Sequence, residues 1–308
     1  MDISLQQLRV LREVAARETV AAAAESLGYT PSALSQQLRN LERATGVPMH
    51  ERVGRNVRLT DAGRELVGHA QQLLDGLEAA QAAVERVTDE ARGTLTMGTF
   101  ESVAATALPD LLGRLDRRHP DLKLRTAELE PDEALSALAS GDIDLSFTVD
   151  YPHAPTPPIP GIQRRTVVDE YFRLAVAADD PLRGPSVPLH QLADRSFICS
   201  SPQLSCGRCI VTACRTAGFE PDIAHVNDDY PTALHLVAAN QGVALIPDLG
   251  LVRRPAGVRI LDTEPRFSRT VQVAYREASA DRPAIVAVLA LIDEVFADLA
   301  PSSIHPAA

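Results

Sequence analysis

Cys199, Cys206, Cys209 and Cys214 are the chain's only cysteines, gathered in one short stretch. Cys206-Gly207-Arg208-Cys209 has the CxxC spacing, which can bind metal or cycle between dithiol and disulfide. A thiol at a helix start and beside an arginine is expected to have a lowered pKa. A zinc site usually pairs two such units, or one with two histidines at fixed spacing. Here there is one unit, and neither the Cys199-to-Cys206 nor the Cys209-to-Cys214 interval is typical. On a helix over 207–217, Ile210, Ala213, Cys214 and Ala217 share an apolar face, making Cys214 a core residue. Structural packing is therefore the main reading, with a thiol- or metal-responsive switch as alternative. No metal site and no cofactor are expected.

A second group of residues suits nucleic acid. Ser32, Ser35, Gln36 and Arg39 follow Thr30-Pro31 at a spacing that puts them on the outer face of a helix whose Leu34, Leu38 and Leu41 turn inward. Arg52-Val53-Gly54-Arg55-Asn56-Val57-Arg58-Leu59 then reads as a small hairpin whose arginines would lie on phosphate. The net charge of -11 opposes DNA binding only when summed over the whole chain. Residues 1–58 carry eight arginines against six acids, while the remainder carries the whole negative excess. Phosphate responds to local charge, so the N-terminal part is the candidate.

The elements that must hold these residues are legible. Ser4 and Gln7 form a capping-box pattern ahead of Leu5, Leu8, Val10, Leu11 and Val14. Thr19 caps an alanine-rich run that stops at Gly28, and Thr30 with Pro31 opens the third helix, which ends near Gly46. Two helices joined by a short turn, followed by a hairpin, make a winged helix-turn-helix over residues 1–59. A plain three-helix bundle with a solvated polar face is the bland alternative, and the charge asymmetry disfavours it. From Thr60 a helix runs to about Arg92 as a linker over 60–92. Leu66, Ala70, Leu73, Leu77, Ala80, Val84 and Val87 form a heptad seam along it, which predicts pairing with a second copy.

Beyond Gly93 short apolar strands alternate with helices, predicting a mostly parallel sheet in two similar α/β lobes. Lobe I takes 93–163 and 267–308; lobe II, 164–266, is inserted into it. A ligand is expected beyond the carboxyl ends of the strands, in the cleft between the lobes. Ser102, Glu130, Ser200, Ser201, Asp228, Asp229 and Tyr230 follow those strand ends. Ser102 is expected to open a helix, as an N-cap and an anion-favouring group. The acids make a dicarboxylate ligand less attractive.

The succession Ala-Ala-x-x-Leu, Ser-Ala-Leu-Ser-Gln-Gln-Leu-Arg-Asn-Leu-Glu, Gly-Val-Pro and Glu-Arg-x-Gly-Arg-x-Val-x-Leu-Thr-x-Ala-Gly resembles the LysR-type transcriptional regulators, and the likeness continues along nearly the whole chain. The resemblance implies that Pro31, Ser32, Ser35 and Gln36 face base edges while Arg39, Arg52 and Arg55 hold the backbone. It also implies a dimer or tetramer and a regulatory module like a periplasmic solute-binding protein, in which a hydroxyl at the position of Ser102 often contacts a small-molecule effector. Met49-His50 departs from the family's usual Leu-Phe, and a histidine there should pack less well under the wing. The expected partners are duplex DNA, an effector and copies of the chain, with no membrane. A cytoplasmic regulator is the leading reading, since charges interrupt the start where a signal peptide needs an apolar run. A CxxC oxidoreductase is the alternative from another class; no Gly-rich phosphate loop, HExxH or GxSxG supports an enzyme.

Overall fold

A computed structural model describes residues 2–54, 56–88, 90–152, 155–252 and 254–299. The chain divides into two compact units. One holds residues 1–90 with the short segments 139–142 and 276–283; the other holds the rest.

The first unit begins with α1 (Leu5–Arg17), α2 (Val20–Ser26) and α3 (Pro31–Thr45). Each start is capped by a side chain: Ser4 accepts from the Gln7 N–H, Thr19 from that of Ala22 and Thr30 from that of Ala33. Gly46, at φ 76°, ends α3 in the left-handed region where glycine has no steric penalty. Val10, Leu11, Val14, Leu34, Leu38, Leu41 and Met49 form the core. Ala23 and Ala24, both fully buried, let α2 approach closely. The hairpin β1 (His50–Val53) and β2 (Asn56–Leu59) is antiparallel, pairing Arg52 with Val57.

Met49 is buried in the core, and His50 is half-buried with Nδ1 3.0 Å from Glu42 Oε1. A carboxylate from α3 therefore lies beside this polar residue, whose buried Nδ1 makes no hydrogen bond. The long helix α4 (Asp61–Thr88) stops short of the expected Arg92, and the Gly63 N–H donates to Thr60 Oγ1 (3.0 Å). Its heptad seam is only partly free. Leu66 packs on the core of the helical head and Ala70 is fully buried within its own chain, so both are already used. Leu77 is half-buried, while Leu73, Ala80, Val84 and Val87 are exposed.

In the second unit, β3 (Gly93–Thr99) leads into α5 (Glu101–Thr106), α6 (Leu108–Arg118), β4 (Leu122–Glu128), α7 (Pro131–Ser140) and β5 (Leu145–Asp150). Then come β6 (Ile162–Ala177), β7 (Ser186–Pro188), β8 (Ser196–Cys199), α8 (Ser205–Thr216), β9 (Asp222–Val226) and α9 (Tyr230–Ala238). The last elements are β10 (Ala244–Pro247), β11 (Val258–Glu264), β12 (Ser268–Arg276) and α10 (Pro283–Asp298). The helix expected from Ser102 onward is two, broken at Ala107 just ahead of Pro109, whose ring cannot continue a ladder.

The sheet is more mixed than expected. β3 pairs in parallel with β4 and β5, and β8 with β9, but β12 is antiparallel to β5 and both β10 and β11 are antiparallel to β6. The strand order β4-β3-β5-β12-β6-β11-β7 carries one sheet from the first lobe into the second. The sixteen residues of β6 are long enough to serve both lobes, which therefore share backbone hydrogen bonds at their junction. Among the described residues, no helix is long and apolar enough to cross a membrane.

Leu38 is 1% exposed at the centre of the helical head. Leu38→Ala is expected to lower the head's stability by about 2–5 kcal/mol, read by denaturant unfolding followed through helical circular dichroism.

Candidate nucleic-acid interface and effector cleft

The first site is the outer surface of α3 and the wing. Burial of Leu34, Leu38 and Leu41 fixes the rotation of α3, leaving Pro31, Ser32, Gln36 and Arg39 exposed and Ser35 half-buried. Thr19, Val20, Pro31, Ser32, Ser35, Arg52 and Asn56 line a groove of about 610 Å³ between the helix-turn-helix and the wing. The wing is anchored from inside: the Val57 N–H donates to the Glu18 carbonyl across 2.7 Å. Glu18 itself sits at φ 56°, in the tight turn between α1 and α2.

Gln36 and Arg39 lie along α3 outside that groove's lining. Gln36 donates to Asn40 Oδ1 (2.9 Å), Arg39 donates to Gln36 Oε1 (2.6 Å) and Arg43 donates to Asn40 Oδ1 (3.2 Å). Asn40 and Arg43 went unmarked in the sequence, although the helical spacing from Gln36 and Arg39 could have found them. Thr19 and Asn56 had no such signal, because the turn and the wing join the groove only through the tertiary fold. Arg55 lies outside the described residues.

The second site lies where strands of the two lobes end. Ser102, Glu130, Ser200, Asp228 and Tyr230 come together around a small cavity of about 40 Å³, with Glu101, Tyr151, Cys206 and Arg269. Ser201 stands outside this lining, its N–H donating to Asp228 across 3.0 Å. Asp228 also accepts from the Ser200 hydroxyl. Asp229 caps α9 by accepting from the Thr232 N–H (2.7 Å). Ser102 is not an N-cap, since Phe100 occupies that position without a side-chain bond. The Ser102 hydroxyl, 1% exposed, instead accepts from Arg269 across 2.8 Å.

Arg269 is the centre of the cleft. It is buried on β12, donates from Nε to Glu170 on β6 (2.8 Å), and lies 5.4 Å and 5.9 Å from the ring centroids of Phe100 and Phe172. Burial alone would lower its pKa, but the Glu170 carboxylate reverses this and leaves it well above the ordinary value. Neither Arg269 nor Glu170 was marked from the sequence. Each is one of several charges in its strand, and only the pairing of β6 with β12 brings them together.

The cysteines correct an expectation. Cys206 faces the cleft, with Sγ 3.7 Å from the Tyr230 hydroxyl oxygen, but burial pushes its thiol pKa up, not down. The nearby guanidinium of Arg269 only partly opposes that burial. Cys199, Cys209 and Cys214 are buried and pushed up to about 12, again by burial. Among the described residues, no group of three or more His, Cys, Asp or Glu is arranged to hold a metal ion.

A winged helix-turn-helix beside a two-lobed α/β module with a polar cleft defines a ligand-responsive DNA-binding regulator. The LysR substrate binding domain matches residues 88–297, and the bacterial regulatory helix-turn-helix protein, lysR family, matches residues 5–64. The chain belongs to the LysR family of transcriptional regulators, which are not enzymes. It is 30% identical over 310 residues to a probable cat1 operon transcriptional activator of Acinetobacter lwoffii, covering 99% of this chain and 98% of the relative. It is also 30% identical over 298 residues to a probable hydrogen peroxide-inducible genes activator of Mycobacterium avium, covering 94% and 93%. Among solved structures, a mutant of OxyR from Corynebacterium glutamicum is 26% identical with a TM-score of 0.59, covering 97% of this chain and 93% of that one.

Burial, followed by the neighbouring Asp229 carboxylate, raises the Glu101 pKa from 4.5 to about 7. The folded state therefore keeps this proton after the unfolded chain has lost it. Folding stability is expected to fall as pH rises from 4.5 to about 7, and Glu101→Gln to remove that part of the dependence, measured by thermal melts across this range.

Proposed function

We propose that α3 enters the major groove of duplex DNA, with Pro31, Ser32, Ser35 and Gln36 toward base edges and Arg39 and Arg52 on phosphates. Arg55, outside the described residues, is assigned to phosphate on the sequence alone. The observation that carries this reading is the exposed groove that joins the polar start of α3 to Arg52 of the wing. Hydroxyl and amide groups there can read donor and acceptor patterns, and guanidinium groups supply the salt-dependent affinity. The division into reading head (1–59), linker (60–92), lobe I (93–163 and 267–308) and lobe II (164–266) follows the same reading.

The exposed apolar part of the α4 seam, Leu73, Ala80, Val84 and Val87, supports pairing of two copies and so two reading heads on adjacent half-sites. In the cytoplasm, a small molecule in the cleft lined by Ser102, Glu130, Ser200, Asp228 and Tyr230 then controls DNA binding. Ser201 acts from behind by orienting Asp228. The ligand works only by favouring one arrangement of the lobes over another, and a few kcal/mol of preference suffices.

A second reading has an observation of its own. Cys206 lines the effector cavity beside Arg269, Tyr151 and Tyr230, so an oxidant entering that cavity would meet a thiol. The relative from Mycobacterium avium carries hydrogen peroxide in its name. The raised thiol pKa weighs against rapid reaction and keeps this reading second.

Gln36→Ala is expected to relax base preference at one operator position by about 1–3 kcal/mol. Arg52→Ala should weaken all duplexes alike and flatten the salt dependence by about one unit, both read by fluorescence anisotropy over a salt series. On the thiol reading, peroxide changes the operator affinity of the parent protein and not of Cys206→Ser. An identical response in the two proteins removes that reading.

A further inference from the structure

The cleft contains more carboxylate than its guanidinium groups can balance. Glu101 and Glu130 approach the cavity from lobe I and Asp228 from lobe II. Arg269 is bonded to Glu170, and Arg208, on α8, pairs with Asp132 across 3.0 Å. The donors that Asp228 receives, the Ser200 hydroxyl and the Ser201 N–H, are neutral. Glu101 Oε2 is buried without a hydrogen-bond partner.

We propose that the effector of this cleft is a small molecule bearing a primary ammonium or a similar cationic head, seated between Glu101, Glu130 and Asp228. This rests on the reading of the cavity as the effector site and adds the chemical class of the ligand. A space of about 40 Å³ accommodates one water-sized group, which is the size of an ammonium head, with the ligand's tail toward the rim. A carboxylate ligand would instead meet three acidic side chains and no free cation, since the buried Arg269 is already engaged by Glu170 and Ser102.

Electrostatics supplies the coupling to shape. Burial and then Asp228 raise the Glu130 pKa, so carboxylates of opposite lobes repel when the cleft is closed. A cation between them turns that repulsion into attraction, and does so only in the closed arrangement. Such a ligand binds one lobe arrangement better than the other, as an effector must. The charged and titratable groups that face Glu101 are Asp229, Glu128, Arg269 and the Tyr230 backbone N–H that donates to it. None of these is an unpaired cation that could do the ligand's work.

The test uses the full chain and three probes of matched length: 1,4-diaminobutane, 1,4-butanediol and succinate. Calorimetric titration is expected to show binding of the diamine alone. Glu101→Gln and Glu130→Gln should each weaken it tenfold or more, with unchanged far-ultraviolet circular dichroism showing that they fold. Calorimetry in buffers of different ionisation enthalpy should also register proton release as the diamine binds, because the cation favours ionised Glu101. Succinate or the diol binding in place of the diamine, and lost in Ser102→Trp, overturns the cationic class while leaving the cleft as effector site. Diamine affinity unchanged in both glutamine variants, or no binding of any probe at millimolar concentration, also overturns the proposal. A probe-dependent change in DNA binding that survives Ser102→Trp overturns the cleft reading itself.

Discussion

Arg269 is tied at once to Glu170 on β6 and to Ser102 on α5, while its own backbone belongs to β12. These three elements meet where the two lobes share their sheet. A guanidinium buried to this depth is tolerable only with its carboxylate and hydroxyl partners in place, because an unpaired buried charge costs several kcal/mol. The floor of the cleft is therefore held in one geometry. The remaining polar groups, Glu130 on one side and Asp228 and Tyr230 on the other, line the cavity above that floor.

A fixed frame appears in the helical head as well. Leu34, Leu38 and Leu41 leave α3 a single rotation, and the Val57-to-Glu18 backbone bond holds the wing beside it. Against that rigid frame the polar residues of α3 hold one another in a ladder from Gln36 to Arg43. On the proposed docking, these bonds are exchanged for bonds to bases at little net cost.

The cleft resolves a tension between charge and function. A chain with a strong negative excess places all of it beyond residues 1–58, and some of it in the polar cleft. Regulators of this architecture need a ligand that discriminates between lobe arrangements. In the proposed mode, carboxylates facing one another across the cleft provide that discrimination through Coulomb repulsion.

Local patterns along the chain were sufficient for the caps at Ser4, Thr19 and Thr30, the inward leucines of α3, the hairpin and the alternation of strand and helix. Each of these depends on neighbours a few residues apart, where backbone geometry and side-chain period act directly. The strand ends also placed Ser102, Glu130, Ser200, Asp228 and Tyr230 near one site. Only the folded structure decided the rest. Pairing of β6 with β12 joined Glu170 to Arg269 from almost a hundred residues away, and that pair took Ser102 as a partner. Packing within the chain consumed Leu66 and Ala70 from the predicted seam. Burial reversed the pKa expected of Cys206, since desolvation is a property of the whole surroundings and the neighbouring arginine in the sequence could not report it.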